Sequence, residues 1–209
     1  MTVSQKKLMR KALPSLQKNK YIYAKEIAYK AINMLYSGVI PFYYKSNSEY
    51  DNLLELFDKE PKVLVSNFEE HAEDIIKFLQ EHGFIYITEG VIALTTKVKI
   101  LEYLKEHRVI SYSYCNNLEK QDIDEMLEKG QLENHNTLFS IEESNYMNYI
   151  LNKAKFDNGL DLRNKYLHGS YPLDDKQNAV DYYQMLIIMM MVLFKIHEEF
   201  LLRDETKPV

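Results

Sequence analysis

Residues 162–169 contain the side chains of this chain that are best suited to chemistry. The segment reads Leu-Arg-Asn-Lys-Tyr-Leu-His-Gly, so that four residues separate Arg163 from His168. Arginine is a permanent planar cation suited to binding a phosphate, and histidine can transfer a proton near neutral pH. The segment therefore predicts proton transfer beside a bound phosphate, although the spacing alone is weak evidence.

The composition predicts a soluble, mainly α-helical protein. The chain has 209 residues, 46% of them hydrophobic, with six glycines and five prolines. Cys115 is the single cysteine, which excludes an intramolecular disulfide and suits a reducing compartment, so we expect a cytoplasmic protein. The longest apolar run, residues 185–194, is about half of the ~20 residues that span a bilayer, so no membrane partner is expected. No cysteine or histidine spacing indicates zinc, and no motif indicates a cofactor.

The N-terminal 30 residues are basic within a chain of net charge −5. They could form a phosphate-binding arm with stacking tyrosines, or a solvated helix face that keeps the protein soluble. The residues concerned are Lys6, Lys7, Arg10, Lys11, Lys18, Lys20, Lys25 and Lys30, with Tyr21, Tyr23 and Tyr29 between them.

The N-terminal half predicts helices over residues 22–35, 50–57 and 69–81. Two strands, 84–88 and 91–94, follow around a Glu89-Gly90 turn, and Thr95 or Thr96 can cap a helix that continues to about residue 107. This helix–hairpin–helix order resembles a winged-helix module. The helix at 69–81 is acidic, however, and duplex binding depends on cations, so we expect a protein-contact or spacer role instead of DNA binding.

The C-terminal half predicts helices alone, and no internal repeat is evident anywhere along the chain. A polar helix or loop covers residues 121–131, an amphipathic helix covers 141–156, and a short helix at 160–167 carries Arg163. Asp174 or Asp175 can cap a final helix that continues to about residue 202. Its centre is apolar on all sides, which is typical of a helix inside a bundle or at a subunit interface.

The Arg163-Asn164…His168-Gly169 segment and the surrounding helices resemble the HEPN superfamily, over about residues 100–204. The fold class expected is therefore mainly α, with a winged-helix-like module at residues 1–97 and a HEPN-like helical bundle at 98–209. The resemblance implies a metal-independent endoribonuclease without a cofactor, which acts as a homodimer with a composite site. It also implies bacterial defence or a toxin–antitoxin system, with an antitoxin or a defence-complex protein as a further partner.

The resemblance assigns catalytic roles to three residues. His168 would act as general base on a ribose 2′-hydroxyl or as general acid to the leaving oxygen, and Arg163 would stabilise charge on the phosphoryl oxygens. Asn164 would orient the His168 ring or contact RNA. Around a regular helix positions 163 and 168 lie about 140° apart, so two copies across a two-fold axis would bring the groups together.

Three neighbouring residues are expected to bind the RNA substrate. They are Lys165, Tyr166 and Tyr171, and the two tyrosines could stack on a base. Three alternatives stay open. Arg163 could pair with Asp157 or Asp161 while His168 caps the helix, in a purely structural role. The domain could bind RNA or a protein without catalysis. The chain could also be a winged-helix regulator whose C-terminal helices form the dimer.

Overall fold

The computed structural model describes residues 19–38, 50–169 and 174–205. In these residues the chain is mainly helical, with two three-stranded antiparallel sheets. It forms two compact units. The first, the sheet unit, is residues 21–134; the second, the helical unit, has residues 19–20, 135–169 and 174–205 as its described part. None of the described helices has the length and apolarity needed to cross a membrane.

In its described residues, the sheet unit contains both sheets and five helices. Its helices are α1 (Glu26–Tyr36), α2 (Leu53–Lys59), α3 (Glu73–Glu81), α4 (Lys97–His107) and α5 (Asn117–Glu128). Its strands are β1 (Tyr21–Ala24), β2 (Val63–Leu64), β3 (Ile85–Thr88), β4 (Val91–Leu94), β5 (Ile110–Ser111) and β6 (Leu132–His135), of which β6 ends at the first residue of the helical unit. Three-residue 3₁₀ turns cover Val65–Asn67, Glu70–Ala72 and Tyr112–Tyr114. One apolar core, from Ile22 to Leu132, connects these elements.

The described part of the helical unit contains three helices. They are α6 (Ile141–Leu151), α7 (Leu162–Leu167) and α8 (Asp175–Glu205). A small apolar cluster of Ile150, Leu162 and Ile188 brings one residue from each helix together. Ser140 precedes α6 and forms a capping box with Glu143. The Glu143 backbone amide donates to the Ser140 hydroxyl, and the Ser140 backbone amide donates to the Glu143 carboxylate. The predicted helices at 141–156 and 160–167 are therefore present, but each is shorter than expected.

The predicted hairpin is present in the sheet unit. Strands β3 and β4 pair antiparallel, with Ile85 opposite Leu94 and Thr88 opposite Val91. Glu89 and Gly90 both have positive φ angles, of 51° and 76°, as a two-residue type I′ turn requires. The helix–hairpin–helix order predicted for residues 69–107 is thus observed. That order does not test the winged-helix resemblance, which stays a prediction.

A structural repeat of 47 residues organises the sheet unit, and the expectation of no internal repeat was wrong. Strand β2 at residue 63 corresponds to β5 at 110, the 3₁₀ turn at 65 to that at 112, and β3 at 85 to β6 at 132. Gly83 and Gly130, both with positive φ, follow α3 and α5 at the same offset. The repeat was missed because few of the paired positions share a residue type. We call α2–β4 the first module, and α4–β6 with β1 the second module.

Strand β1 supplies the third strand of the second module. The first sheet has the order β2-β4-β3 and the second β5-β1-β6, so β1 takes the central place that β4 takes in the first. Val63 lies opposite Ile92, and its counterpart Ile110 lies opposite Ile22. The hydrogen bonds match as well. Thr95 donates its amide to Phe84, and Lys25 donates to Gln131, at the corresponding positions.

Four predictions about local structure need correction. The helix predicted from residue 22 begins only at Glu26, because residues 21–24 form β1 at the centre of a sheet. Thr96 occupies the N-cap position of α4, but its side chain makes no capping hydrogen bond, and the Thr95 hydroxyl donates to the Gly83 and Phe84 carbonyls. The C-terminal half is not purely helical, because it contains β5 and β6. The polar segment 121–131 is α5 and its C-terminal turn, and α5 begins earlier than predicted, at Asn117.

The structure describes three of the eight basic residues of the predicted N-terminal arm, Lys20, Lys25 and Lys30, and they differ in burial. Lys20 is buried, with its ammonium beside Glu199 and 3.3 Å from the Leu138 carbonyl oxygen. Tyr21 and Tyr23 are buried in β1, whereas Tyr29 is exposed. The ammonium of Lys30 lies 4.4 Å from the centre of the Phe78 ring. The remaining basic residues of the predicted arm, apart from Lys25, lie outside the described residues.

The two compact units divide the chain after residue 134, whereas the sequence predicted a boundary between residues 97 and 98. Helix α4 begins at Lys97, but it packs on α1 and α5, and Lys97 forms an ion pair of 2.6 Å with Glu125. A boundary at residue 97 would separate α4 from the core to which its buried residues Ile100 and Leu101 belong.

The equivalence of β1 and β4 predicts matched effects of one substitution in each strand. Ile22 and Ile92 are buried at corresponding positions. Ile22→Ala and Ile92→Ala should each lower the free energy of unfolding by about 2–5 kcal/mol, because each leaves a cavity in the shared core. Urea denaturation measures this, with exposed Thr88→Ala as the control. A neutral Ile22→Ala beside a destabilising Ile92→Ala would contradict the central position of β1.

Candidate functional site

The short helix α7, which carries Arg163, begins at a turn of unusual backbone geometry. Asp161 precedes it with φ of 57°, in the left-handed region that aspartate tolerates better than most residues. The Asn164 side-chain amide donates to the Asp161 carboxylate over 2.7 Å, and the Lys165 amide donates to the Asp161 carbonyl oxygen over 3.0 Å. These bonds fix the first turn of the helix and hence the direction of the side chains that follow.

The turn before α7 is packed closely against the end of α6. The Leu160 amide donates to the Tyr149 carbonyl over 2.8 Å. A side chain at Gly159 would place its Cβ 2.9 Å from the Asn152 and Tyr149 carbonyl oxygens, closer than real Cβ atoms come. Leu162 is buried beside Ile150 and completes the contact. Glycine at 159 therefore allows α7 to lie directly on α6.

A buried carboxylate on α8 holds the other side of α7. Asp181 is only 1% exposed and accepts three side-chain hydrogen bonds. Its Oδ2 lies 3.2 Å from the Lys165 ammonium and 3.1 Å from the Tyr166 hydroxyl, and its Oδ1 accepts from the Gln177 amide over 2.8 Å. The Tyr166 hydroxyl also lies 3.1 Å from the Asn178 side-chain oxygen. The middle of α7 is thus fastened to the first turns of α8.

These contacts shift two pKa values. Burial alone would raise the pKa of Asp181, but the hydrogen bonds from Gln177, Lys165 and Tyr166 and the charge of Lys165 outweigh it, so the pKa lies below its usual range. The pKa of Tyr166 is raised by desolvation, by its hydrogen bond to Asp181 and by the charge of that carboxylate. Asp181 is therefore ionised and Tyr166 is neutral near pH 7.

Arg163 lines an open pocket beside α7. The pocket has a volume of about 380 Å³ and is otherwise mainly apolar. Its other lining residues are Leu151, Leu162, Tyr166, Leu167 and Met185. Arg163 itself is half-buried, and the Tyr166 ring is 43% exposed. A group that entered the pocket would meet one permanent cation and an aromatic ring among aliphatic side chains.

His168 ends α7 and is exposed. Its amide donates to the Asn164 carbonyl over 3.0 Å, and Gly169 follows with φ of 71°. The helix therefore stops at Leu167, and His168 is the first residue beyond it. His168 therefore lies at the helix C-terminus, where the structural alternative placed it as a cap.

Five of the six predicted site residues lie on α7 or at its end. Arg163 and His168 are both accessible there, although Asn164 donates to Asp161 and is not seen to orient the His168 ring. The Lys165 ammonium is engaged by Asp181, which leaves its charge less available to a substrate than the sequence predicted. Tyr171 lies outside the described residues.

Sequence reasoning missed Asp181, which contacts two of the predicted binding residues. The signal was a single acid among the apolar residues that begin the hydrophobic stretch of α8. A charged residue there has to be paired if it is buried, and Lys165 and Tyr166 are the partners. Within the described residues, no three His, Cys, Asp or Glu side chains lie close enough to hold a metal ion.

The lowered pKa of Asp181 gives a testable pH dependence. A depressed pKa contributes stability above the usual aspartate value of about 3.9, and this stability is lost as the pH falls through the pKa of the folded state. Asp181→Asn should lower the free energy of unfolding at pH 7 by about 1–3 kcal/mol, since Lys165 loses its carboxylate. Urea denaturation from pH 7 to pH 2.5 should show this difference shrinking below about pH 4. Exposed Asp175→Asn is the control, and a difference that stays constant with pH would contradict the assignment.

Comparison with known proteins gives no relative from which the site could be assigned. No protein-family model, curated protein or solved structure matches the chain. The chemistry of the site therefore has to be argued from its own residues and their geometry.

Proposed function

We propose that this protein is a HEPN-type endoribonuclease that cleaves RNA without a metal ion. The observation that carries the proposal is the placement of Arg163 on one short helix and of His168 at its end. Arg163 lines an open pocket, His168 is exposed at the helix end, and the helix is fixed to its neighbours by Leu162 and Asp181. A rigid support of this kind is what a positioned cation and proton-transfer group require.

The proposed reaction is an attack of the ribose 2′-hydroxyl on the adjacent phosphorus atom. One histidine takes the hydroxyl proton, the 2′-oxygen forms a bond to phosphorus, and the bond to the 5′-oxygen breaks. The His168 of the other copy in the proposed dimer gives a proton to the leaving 5′-oxygen, so the products are a 2′,3′-cyclic phosphate and a 5′-hydroxyl. Arg163 stabilises the negative charge that develops on the phosphoryl oxygens. The need for a 2′-hydroxyl makes RNA, and not DNA, the substrate.

The residues around this pair would contact the RNA. Asn164 is exposed, and its amide would bind the RNA backbone while Asp161 holds it in place. The exposed part of the Tyr166 ring offers a surface on which a base can stack, as Tyr171 would if it lies nearby. Lys165 would contribute to RNA binding mainly by holding α7 in place, because its ammonium is paired with the Asp181 carboxylate.

Charge in the sheet unit argues against the rival function of duplex DNA binding. Helix α3 exposes Glu73, Asp74 and Glu81, and α5, at the corresponding place in the second module, exposes Glu119, Asp124 and Glu128. Duplex affinity rests on cations that displace counterions from phosphates. Two acidic helices at equivalent positions make a protein contact the better proposal for this unit.

The surface of α8 supports the proposed homodimer. Among the described residues, more than half of the exposed large apolar side chains belong to this helix. They are Val180, Tyr182, Tyr183, Met185, Ile187, Met189, Met190, Leu193, Phe194, Ile196, Phe200 and Leu201. An exposed apolar stripe of this length marks a contact surface.

The polarity of α8 is the reverse of that of an ordinary surface helix. Its buried side carries more polar residues than its exposed side. Asp181 and Glu199 are buried, and Lys195 forms ion pairs of 2.9 Å with Glu143 and 3.3 Å with Glu198. No charged residue lies between residues 182 and 194, so two copies of the stripe can meet without like-charge repulsion. Met185 belongs both to this stripe and to the pocket of Arg163, so a dimer formed here would bring the two motifs toward each other.

The proposed setting is the bacterial cytoplasm, in defence or a toxin–antitoxin system. This part of the proposal rests on the resemblance of the Arg163-Asn164…His168-Gly169 segment alone. An antitoxin or a defence-complex protein would be a partner in addition to the RNA substrate.

Cleavage of a mixed RNA substrate in the presence of EDTA tests the proposed activity. The wild-type chain should leave 2′,3′-cyclic phosphate ends. Arg163→Ala and His168→Ala should each reduce the rate by about 10²-fold or more, because each removes a charge or a proton-transfer group from the transition state. His107→Ala, an exposed histidine of the sheet unit, is the matched control and should retain full activity.

Two results of that assay would overturn the ribonuclease proposal. One is no cleavage by a folded wild-type dimer; the other is equal cleavage by the wild type and both variants. Retention of single-stranded RNA without cleavage would favour the non-catalytic binding module instead. Salt-sensitive binding of duplex DNA would favour the regulator.

The dimer is tested separately by sedimentation. Phe194→Glu introduces a charge into the exposed apolar stripe, and the variant should sediment as a monomer at concentrations where the wild type is a dimer, because the charge would be buried unpaired. Lys176→Glu, an exposed residue outside the apolar stripe, is the control and should leave the dimer intact. A monomeric wild type, or a dimeric Phe194→Glu variant, would contradict this interface.

A further inference from the structure

The second module contains a cavity that plays no part in the proposed ribonuclease site. It lies in the sheet unit, has a volume of about 430 Å³ and is partly open to solvent. Its lining comes from α4, β5, the segment that leads into α5 and the first turn of α5. The lining residues are Lys99, Ile100, Tyr103, Ile110, Ser111, Tyr114, Cys115 and Glu119. This volume falls in the range of small-ligand pockets.

The first module offers an internal comparison for this cavity. Cys115 ends the 3₁₀ turn of the second module and donates its amide to Tyr112, as Phe68 ends the corresponding turn and donates to Val65. Both residues pack against the core, in extended backbone of similar geometry. The second module therefore carries a small thiol where the first module carries an aromatic ring.

Two further positions differ in the same direction. Leu56 of the first module is fully buried, while its counterpart Tyr103 is 49% exposed. Ala72 is also fully buried, while its counterpart Glu119 is exposed. Leu56 and Ala72 are thus covered in the first module, whereas their counterparts Tyr103 and Glu119 line the open cavity in the second.

We propose that this cavity of the second module binds an aromatic ring. The buried side chains of Ile100 and Ile110 supply apolar contacts, and Tyr103 and Tyr114 supply rings that can pack against another ring edge-to-face. Lys99 and Glu119 add one charge of each sign, which can orient polar groups attached to the ring. The ring takes the place that Phe68 has in the first module.

Binding in this cavity is non-covalent. Burial, together with the charge of Glu119, raises the pKa of the Cys115 thiol, although Lys120 acts in the opposite direction. The thiol also donates to the Ser111 carbonyl over 3.7 Å. The Cys115 thiol is therefore protonated, and it lines the cavity without acting as a nucleophile.

Nuclear magnetic resonance titration of the full chain tests the proposal. The probes are p-cresol, which is a ring alone, and N-acetyl-tyrosinamide, which is a ring attached to a peptide backbone. Saturable shifts confined to the amides of residues 99–119 are expected. Tighter binding of p-cresol would indicate a free small molecule as the natural ligand, and tighter binding of N-acetyl-tyrosinamide would indicate an aromatic side chain of a partner protein.

Three variants make the test specific to this cavity. Cys115→Phe supplies the residue of the first module, so it should fill the cavity and weaken both probes at least tenfold without lowering Tm. Tyr114→Ala removes one exposed ring and should weaken them as well, while Tyr86→Ala, an exposed tyrosine of β3, should not. The proposal is overturned if neither probe gives saturable shifts, or if Cys115→Phe and Tyr114→Ala both bind as the wild type does. If Cys115→Phe does not fold, Tyr114→Ala alone decides.

Discussion

The buried carboxylate of Asp181 determines how the helical unit is arranged. A charge that is removed from water has to be matched by donors, and Lys165, Tyr166 and Gln177 supply them. Since two of these donors lie on α7 and one on α8, the carboxylate sets the position of both helices at once. The same requirement turns the polar side of α8 inward, where Glu199 also receives a cation. Apart from Ile188 and its neighbours, most apolar side chains of α8 are therefore left facing outward, so that an exposed hydrophobic stripe and a firmly held motif occur in the same unit.

The sequence predicted the regular helices and the hairpin because their signals are local. Apolar residues at helical spacing identified α3, and the Glu89-Gly90 pair identified the β3–β4 turn. The strand β1 was not predictable in this way, since its partners Ile110 and Ser111 lie almost ninety residues away and no local pattern records that pairing. For the candidate site, residue types pointed to Arg163 and His168. The carboxylate that supports them was missed because a lone acid in an apolar stretch does not reveal its partners.

The two modules of the sheet unit show how far side chains can diverge while the backbone stays matched. Their strand registers and their turn hydrogen bonds correspond, yet Phe68 in one is replaced by Cys115 in the other. Positions that maintain the backbone, such as Gly83 and Gly130 with their positive φ angles, keep their residue type. Positions beside the 3₁₀ turn, such as Phe68 and Cys115, differ in residue type between the two modules. The repeat therefore separates what the fold requires from what one module alone has acquired, and the cavity belongs to the second group.

The central place of β1 in the second sheet has a consequence for the order of folding. Strands β2, β3 and β4 lie within about thirty residues of one another, so the first module can assemble from nearby contacts soon after its residues are synthesised. The second module cannot close until β5 and β6 have been made and have met a strand that left the ribosome far earlier. Closing so long a loop costs conformational entropy, which is recovered only when the sheet is complete. During synthesis, β1 therefore stays unpaired at both edges until β5 and β6 have been made. A fragment that begins after residue 24 would leave the second sheet without its middle strand.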